Sequence, residues 1–458
     1  MHFDSPSDHA QNGTTIATHE SLNFHFRRSG TWMMTTKQDL LDLINAESEK
    51  HIALLQALIR APTPNPPGDT RQGIEAVRSH LEAAGISSKI IAPKKESPNL
   101  VSILRGKSES GQKKSIVLNG HIDQFPVGDA DQWQRDPYSG DVENGYVYGR
   151  SGVDMKAGTA ASIIAFSYLH QFRSQLSGRA TLEVVSDEET GGRWGTRYLL
   201  EDDGSEEWSG DCILIGEPSG LGSIRFGEKG TFRLTFTVTA QAAHGAYIHR
   251  SEGAIRIASR LIERLVAMEK LPDLGMDEKI KKHMQQPDVR KVADEIMWPG
   301  AADAMLIPTV NIGTIKGGDK INMIPSECIF EADIRIPIGV KTDTIRKHIE
   351  DILKDFPTAS YSVHENHSHI STHSQPDHEV VGLLQRNAMQ LRGEEPVVIC
   401  SLGATDCKHF RRHNIPAYAY GPHPRGMAER DEKVSIEEFL DVVRVHTLTA
   451  WDYLGGAS

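Results

Sequence analysis

The sequence is poor in cysteine. Four residues in 458 (Cys212, Cys328, Cys400 and Cys407) stand far apart or outside any C-x-x-C spacing. That excludes a disulfide framework and a cysteine zinc site, and it points to a reducing compartment, read here as the cytoplasm. Long apolar runs are missing too: no window approaches the ~20 apolar residues of a membrane-spanning helix, so no membrane partner is expected. Nor is there an excess of basic residues. Fifty Lys and Arg against 62 Asp and Glu leave a formal charge of −12, spread along the chain, so the footprint of a nucleic-acid binder is absent. With 38% hydrophobic and 24% charged residues, the composition is that of a globular protein with an ordinary core. At roughly 150 residues per domain, the length allows about two or three domains. Histidine is what the sequence has in plenty, with 21 residues, and it is the first pointer to metal or acid–base chemistry.

The stretch from Met1 to about Thr35 is polar and aperiodic, with Arg27 and Arg28 but no following apolar run of signal-peptide length. Residues 1–35 are expected to be a disordered extension. From Lys37 the spacing of Leu40, Leu41, Ile44, Ile52, Leu55, Leu58 and Ile59 predicts helix up to Pro62. Ile74, Val77 and Leu81 predict a second helix with Gly85 just past its end. Short apolar segments predict strands at 89–92, 100–104, 115–119, 181–186 and 212–215, and the third is unbroken, as in a strand buried on both faces. A helix rich in small residues reaches about Phe172. Strands alternating with helices predict an α/β domain with a mostly parallel sheet.

The period changes near residue 229, where Phe232, Leu234, Phe236 and Val238 alternate with polar residues. A helix through Ile255 and Leu265, strands near 306–314 and 329–336, a helix near 342–353 and a strand near 361–364 follow. That order, β-α-β-β-α-β, is the split-βαβ arrangement, and it predicts an inserted second domain over 229–372. Residues 271–304 are expected to form a helical excursion over one face, and His364, His367, His369 and His373 to lie on a solvated linker. The α/β pattern returns after about Ser374 and ends in a helix over 436–454.

The chemistry-bearing residues fall just past apolar strands, where open α/β sheets bind ligands. They are Gly120-His121-Ile122-Asp123, Asp154 in the run Gly149-Arg-Ser-Gly-Val-Asp-Met-Lys-Ala-Gly158, Ser186-Asp-Glu188-Glu189, and Ile215-Gly-Glu217-Pro218. Imidazole nitrogen with carboxylate oxygen suits zinc, cobalt or manganese. A carboxylate can also bridge two ions ~3.5–4 Å apart, a known hydrolytic device. Taken singly, a His-x-Asp is usually structural and a Glu-Glu pair usually a solvated turn. Together, in this order, they converge on one rim.

The full set resembles the M20 family of metallopeptidases and amidohydrolases, over about Leu40 to Leu454. The resemblance implies a zinc-exopeptidase-like catalytic domain made of 36–228 and 373–458, with a ferredoxin-like α+β lid and dimerisation domain inserted between them. It implies one or two Zn²⁺ per subunit, with Co²⁺ or Mn²⁺ as substitutes. His121, Asp154, Glu189 and Glu217 would be metal ligands, Asp154 bridging, and Asp123 would fix the His121 tautomer. Glu188 is similar to the general base. Ala243-His244-Gly245 resembles the lid histidine that reaches the partner's site in a homodimer. Asn322 and Arg335 resemble substrate-binding residues, and an arginine fork suits a carboxylate. Gly403-Ala-Thr-Asp406 is similar to a loop at the mouth of the site. One ligand departs from the pattern: where the family carries a late histidine in Gly-Pro-x5-His-x3-Glu, this sequence has Ala428, with Glu432 in register and His423 offset. The function implied is metal-dependent hydrolysis of an amide in an N-acyl amino acid or short peptide with a free carboxylate. The alternative, which Ala428 raises, is altered chemistry: binding, assembly or amide condensation.

Overall fold

Ile116, Val117 and Leu118 have no exposed surface, and the strand that carries them, Ser115–His121, lies inside a nine-stranded sheet. The structure, a computed structural model, describes residues 36–107, 113–201, 205–271 and 274–456. The expected extension over 1–35 lies outside them. The centre of the sheet is parallel: Arg179–Val185, Ser115–His121, Cys212–Ile215 and Ala417–Ala419, side by side. Lys89–Ile91 and Asn99–Arg105 extend one edge antiparallel. Ser223–Glu228 lies antiparallel beyond Ala417–Ala419 and pairs in parallel with Val397–Ser401. β-branched and leucine side chains favour such strands because both faces are covered, and each one fully buried stabilises by ~1.5–3 kcal/mol.

Helix Ala157–Gln171 is buried on nearly every side, between the sheet and helix Ile436–Tyr453. Its small residues let it approach the sheet closely. A Cβ on Gly158 would stand 2.0 Å from the Gly216 carbonyl oxygen, and one on Gly120 would stand 2.6 Å from Thr159 Oγ1. These close approaches bring the turn before the helix, which carries Asp154, up against Gly216-Glu217.

Residues 230–363 build a separate four-stranded antiparallel sheet in the order Thr309–Gly317, Glu327–Ile336, Gly230–Thr239, Ala359–Val363. Helices Ala254–Val266 and Thr342–Leu353 complete the split-βαβ order. The first buries a single stripe, Ala254, Ala258, Leu261 and Leu265, and Phe236 stacks on Phe330 within the sheet at 4.9 Å. The chain enters this unit at Lys229. That fully buried lysine donates to the carbonyls of Ala304 (2.7 Å) and Ile307 (2.8 Å) and to Thr309 Oγ1 (3.1 Å).

Some boundaries differ from expectation, each with a local cause. The first helix divides at Glu47 into Lys37–Ala46 and Ser48–Ile59; Thr36 and Asp39 form a capping box at its start. The strand expected from 306 begins at Thr309, because Pro308 has no N–H for the ladder. The excursion folds as helices Glu278–Met284, Pro287–Met297 and Ala301–Ala304. The histidine run is not a solvated linker. His364 and His369 bond Thr235 and Thr231 of the Gly230–Thr239 strand, and burial pushes the His369 imidazole down to about 3.

Candidate metal centre and active site

His121 ends its strand almost fully buried. Its Nδ1 lies 2.9 Å from the Asp123 carbonyl oxygen and 3.4 Å from Asp123 Oδ1. A proton held at Nδ1 leaves the Nε2 lone pair facing the site. Nε2 stands 3.2 Å from Asp154 Oδ1 and 3.8 Å from Glu217 Oε1, and ligand atoms of these three residues all lie within 4.8 Å of one another. Glu217 follows the Cys212–Ile215 strand, as expected. Asp154 does not follow a strand: it sits in the turn Gly152–Lys156 that leads into helix Ala157–Gln171. Glu432 holds that turn. One oxygen accepts from the N–H groups of Val153 (2.9 Å) and Asp154 (3.4 Å), and the other accepts from Arg150 Nη1 at 2.8 Å.

Glu188 and Glu189 lie on a short helical turn just beyond the Arg179–Val185 strand. Asp187 before them adopts φ +77°; its carboxylate accepts from Trp194 N–H and Thr190 Oγ1, and local bonding of this kind lets Asp take that conformation. Asp123 ties the two strand ends together. It accepts from the N–H groups of Glu188 (3.2 Å) and Glu189 (3.1 Å) and from Asn65 Nδ2 (2.9 Å), so it orients His121 and the glutamate turn at once.

Lys408, whose side chain is 5% exposed, places Nζ 3.3 Å from Glu188 Oε1 and donates to the Thr405 carbonyl at 3.0 Å. Burial opposes its charge, but Glu188 and Asp406 outweigh burial and hold it above the ordinary lysine range. It is the second residue of helix Cys407–Arg412, which follows the Gly403–Asp406 loop. Pattern reading takes a lysine as a solvent-facing position, so periodicity does not reveal a buried one. His409, on the same helix, is also buried.

These groups face a cavity of about 500 Å³. Asp154, Glu188, Glu189 and Glu217 line it from the catalytic side, Arg233, Arg335, Arg412 and Lys408 give it basic walls, and His369 and His409 add imidazoles that burial holds neutral. Arg335 lies at the cavity as expected, with Nη2 2.9 Å from Asp333 Oδ2. His244 and Asn322 do not line it. They lie exposed on a small ribbon, Ala243–His244 paired with Met323–Ile324, where Gly245 N–H donates to the Asn322 carbonyl at 2.7 Å. Ala428 is exposed at φ +61°. His423 turns its Nδ1 back to the Arg425 N–H at 3.1 Å and belongs to a turn.

The donor set fits a divalent cation. Burial, followed by the neighbouring Asp154 charge, pushes the Glu189 and Glu217 carboxyls well above the usual range. Glu189 Oε1 is buried with no hydrogen-bond partner. Among the described residues no lysine or arginine lies within ion-pair distance of Asp154, Glu189 or Glu217. Buried carboxylates so placed need a counter-charge, and His121, Asp154 and Glu217 supply the nitrogen and oxygen donors that zinc-type ions take.

The comparisons agree. The sequence profile of peptidase family M20/M25/M40 matches residues 117–452. Succinyl-diaminopimelate desuccinylase of Dinoroseobacter shibae is 24% identical over 88% of this chain and 98% of that protein. N-formyl-4-amino-5-aminomethyl-2-methylpyrimidine deformylase of Halalkalibacterium halodurans is 26% identical over 89% of this chain and 94% of that protein. An M20 family metallo-carboxypeptidase from Sulfolobus solfataricus shares the fold with a TM-score of 0.70 at 16% identity, covering 88% of this chain and 99% of that one. The matched span includes every residue of the cluster, and the chain belongs to peptidase family M20/M25/M40 as an enzyme of the metallohydrolase type.

Proposed function

We propose that this enzyme hydrolyses the amide of an N-acyl amino acid or short peptide that bears a free carboxylate. The observation that carries the reading is Glu188: a carboxylate held by Lys408 and by the Asp123-bound turn, at the rim of the His121–Asp154–Glu217 cluster. A divalent cation bound there supplies Lewis acidity and an activated water. Glu188 takes the proton of the attacking water and delivers it to the leaving nitrogen, while Lys408 and Asp123 fix its position. The test is release of amine from a panel of N-acyl amino acids by the zinc-reconstituted protein. No turnover on any member, with metal bound, would overturn the reading. That same result would favour the second reading, a binding or condensing protein, for which Ala428 speaks. The Glu188–Lys408 pair speaks against it, because a binder needs no base there.

Arg335 is read as the carboxylate clamp. Arg335→Ala should raise KM for acids about thirtyfold, ~2 kcal/mol for a truncated charge pair, and leave the matching amides nearly unchanged. Equal effects on both would remove Arg335 from that role.

The metal sites are read as unequal: His121, Asp154 and Glu217 form a complete set for one zinc, while Asp154 and Glu189 alone serve the other. Elemental analysis after mild chelation should give one tightly held ion, and Ala428→His should bring it nearer two. Two tight ions in the unaltered protein would show another group completing the site.

The homodimer reading rests on the inserted unit. His244 and Asn322 stand away from their own cavity, and the edge strand Thr309–Gly317 and its neighbourhood expose Ile315 and Ile321, the kind of edge that pairs with another chain. Sedimentation should give twice the chain mass. The four buried, unpaired thiols favour a reducing compartment, the cytoplasm.

A further inference from the structure

The end of the main sheet away from the metal cluster carries a recess of about 400 Å³. Three strand ends build it: Asn99–Arg105 finishes there, while Ser115–His121 and Arg179–Val185 begin there. His121 closes the far end of its strand, so at ~3.3 Å per residue the recess stands roughly 20 Å from the cluster. Arg105, Lys107, Lys113, Lys114 and Arg179 line it together with Ser115. Backbone bonds fix its shape. Gly106 N–H donates to the Gly178 carbonyl at 2.8 Å, Lys107 N–H to the Arg173 carbonyl at 3.0 Å, and Arg179 N–H to the Lys114 carbonyl at 2.8 Å.

Five cations thus converge in a chain whose formal charge is −12, and one of the five is paired. Lys114 meets the Glu379 carboxylate and stands 5.0 Å from the centre of the Tyr453 ring. Arg179 gives Nη2 to the Ser209 carbonyl, a neutral partner. Asp211 turns its Oδ2 to Ser115, accepting from the N–H at 2.7 Å and from Oγ at 2.9 Å. Among the described residues no carboxylate lies within 4.0 Å of Arg105, Lys107, Lys113 or Arg179. Arg105 and Arg179 are also direct partners across the antiparallel ladder, a register in which like charges destabilise. Burial, then the Arg105 charge, pulls the Arg179 guanidinium below its ordinary range, against Asp211 and Glu207. An anion seated between these groups turns their repulsion into attraction.

We propose that this recess binds the phosphate group of a small soluble ligand. Four unpaired cations exceed what a singly charged carboxylate neutralises. A phosphate carries up to two charges, and its oxygens can serve a guanidinium fork and an ammonium group at once. A space of about 400 Å³ is of the size that holds a nucleotide-like molecule. A lipid headgroup offers the same phosphate, but a concave recess suits a free molecule better than a flat bilayer. At roughly 20 Å from the cluster, the ligand touches neither the metal ligands nor the substrate.

Calorimetric titration of inorganic phosphate into the zinc-loaded full chain tests this. Arg105→Gln and Lys107→Gln should each weaken binding about tenfold, the scale for one lost charge-assisted hydrogen bond, and the double substitution should abolish binding at the recess. Phosphate taken up at the metal centre would be untouched by either change. Both side chains are exposed, so melting curves should match the unaltered protein; if one variant melts early, Lys113→Gln, also exposed, takes its place. No phosphate binding, or equal binding by the unaltered protein and the double variant, overturns the proposal. Flotation with phosphatidylcholine vesicles containing phosphatidic acid separates the two phosphate sources: the protein should stay off the vesicles. Retention that depends on Arg105 and Lys107 would make a lipid headgroup the ligand and overturn the soluble one. The readout is binding alone, so failure of the amide-hydrolase reading, seen as absence of amine release, leaves it unaffected.

Discussion

Glu188→Gln should lower kcat by ~10²–10⁴-fold, the range for loss of a general acid–base group, while metal content and KM stay close to the starting values. The amide is isosteric with the carboxylate and keeps an oxygen for Lys408, which stands 3.3 Å from Glu188 Oε1. Asp123 bonds the backbone of the Glu188–Glu189 turn and not its side chains, so the turn should keep its shape and Glu189 its position. What the glutamine cannot do is accept a proton. The measurement is steady-state turnover at matched zinc content. An unaltered rate would assign the proton transfer elsewhere, and loss of metal along with the rate would make Glu188 a ligand instead of a base.

A second large effect is expected far from substrate. Glu183 lies on the Arg179–Val185 strand with no exposed surface, and one of its oxygens accepts from Asn119 Nδ2 at 2.9 Å. Burial pushes its carboxyl up from 4.5 to about 8, with the Asp406 charge adding to burial. The folded protein therefore holds this proton through neutral pH, while the unfolded chain releases it near 4.5. Stability carried by that proton is fully present below about 4.5 and is lost as pH rises through about 8. At ~1.4 kcal/mol per pH unit the loss approaches ~5 kcal/mol. Glu183→Gln keeps the shape of the protonated group and removes the titration. Its melting temperature should match the unaltered protein near pH 4.5 and exceed it by an increasing margin up to about pH 8. Parallel curves for the two proteins would show that Glu183 is ionised in the fold.

The elements that the sequence makes legible are those whose signal is local. Helix Thr342–Leu353 has the predicted bounds, and helix Arg71–Ala83 ends before Gly85 at φ +69°, because apolar stripes and a left-handed stop are written into neighbouring residues. The strands Ser223–Glu228, Val397–Ser401 and Ala417–Ala419 were not foreseen. The first mixes Arg225 and Glu228 into its buried face, and the last is three residues long, so neither shows the apolar run or the alternation that marks a strand. In the site, His121, Asp154 and Glu217 were legible because each stands in a motif. Lys408 was not: a buried cation is defined by the group opposite it, and Glu188 lies more than two hundred residues away in sequence.

The order of the sheet also governs when the centre can exist during synthesis. Ala417–Ala419 separates Cys212–Ile215 from Ser223–Glu228, and Glu432 supplies the carboxylate that grips the Asp154 turn. A nascent chain that has completed its whole inserted unit therefore still holds Glu217 beside a gap and Asp154 on an untethered loop. Contacts that span 200 residues or more close slowly, because loop entropy is lost before they form. Metal capture is thus expected to come late in folding. A ribosome-stalled chain ending before residue 417 should be unable to hold a divalent ion at the cluster, although His121, Asp154 and Glu217 have already been made.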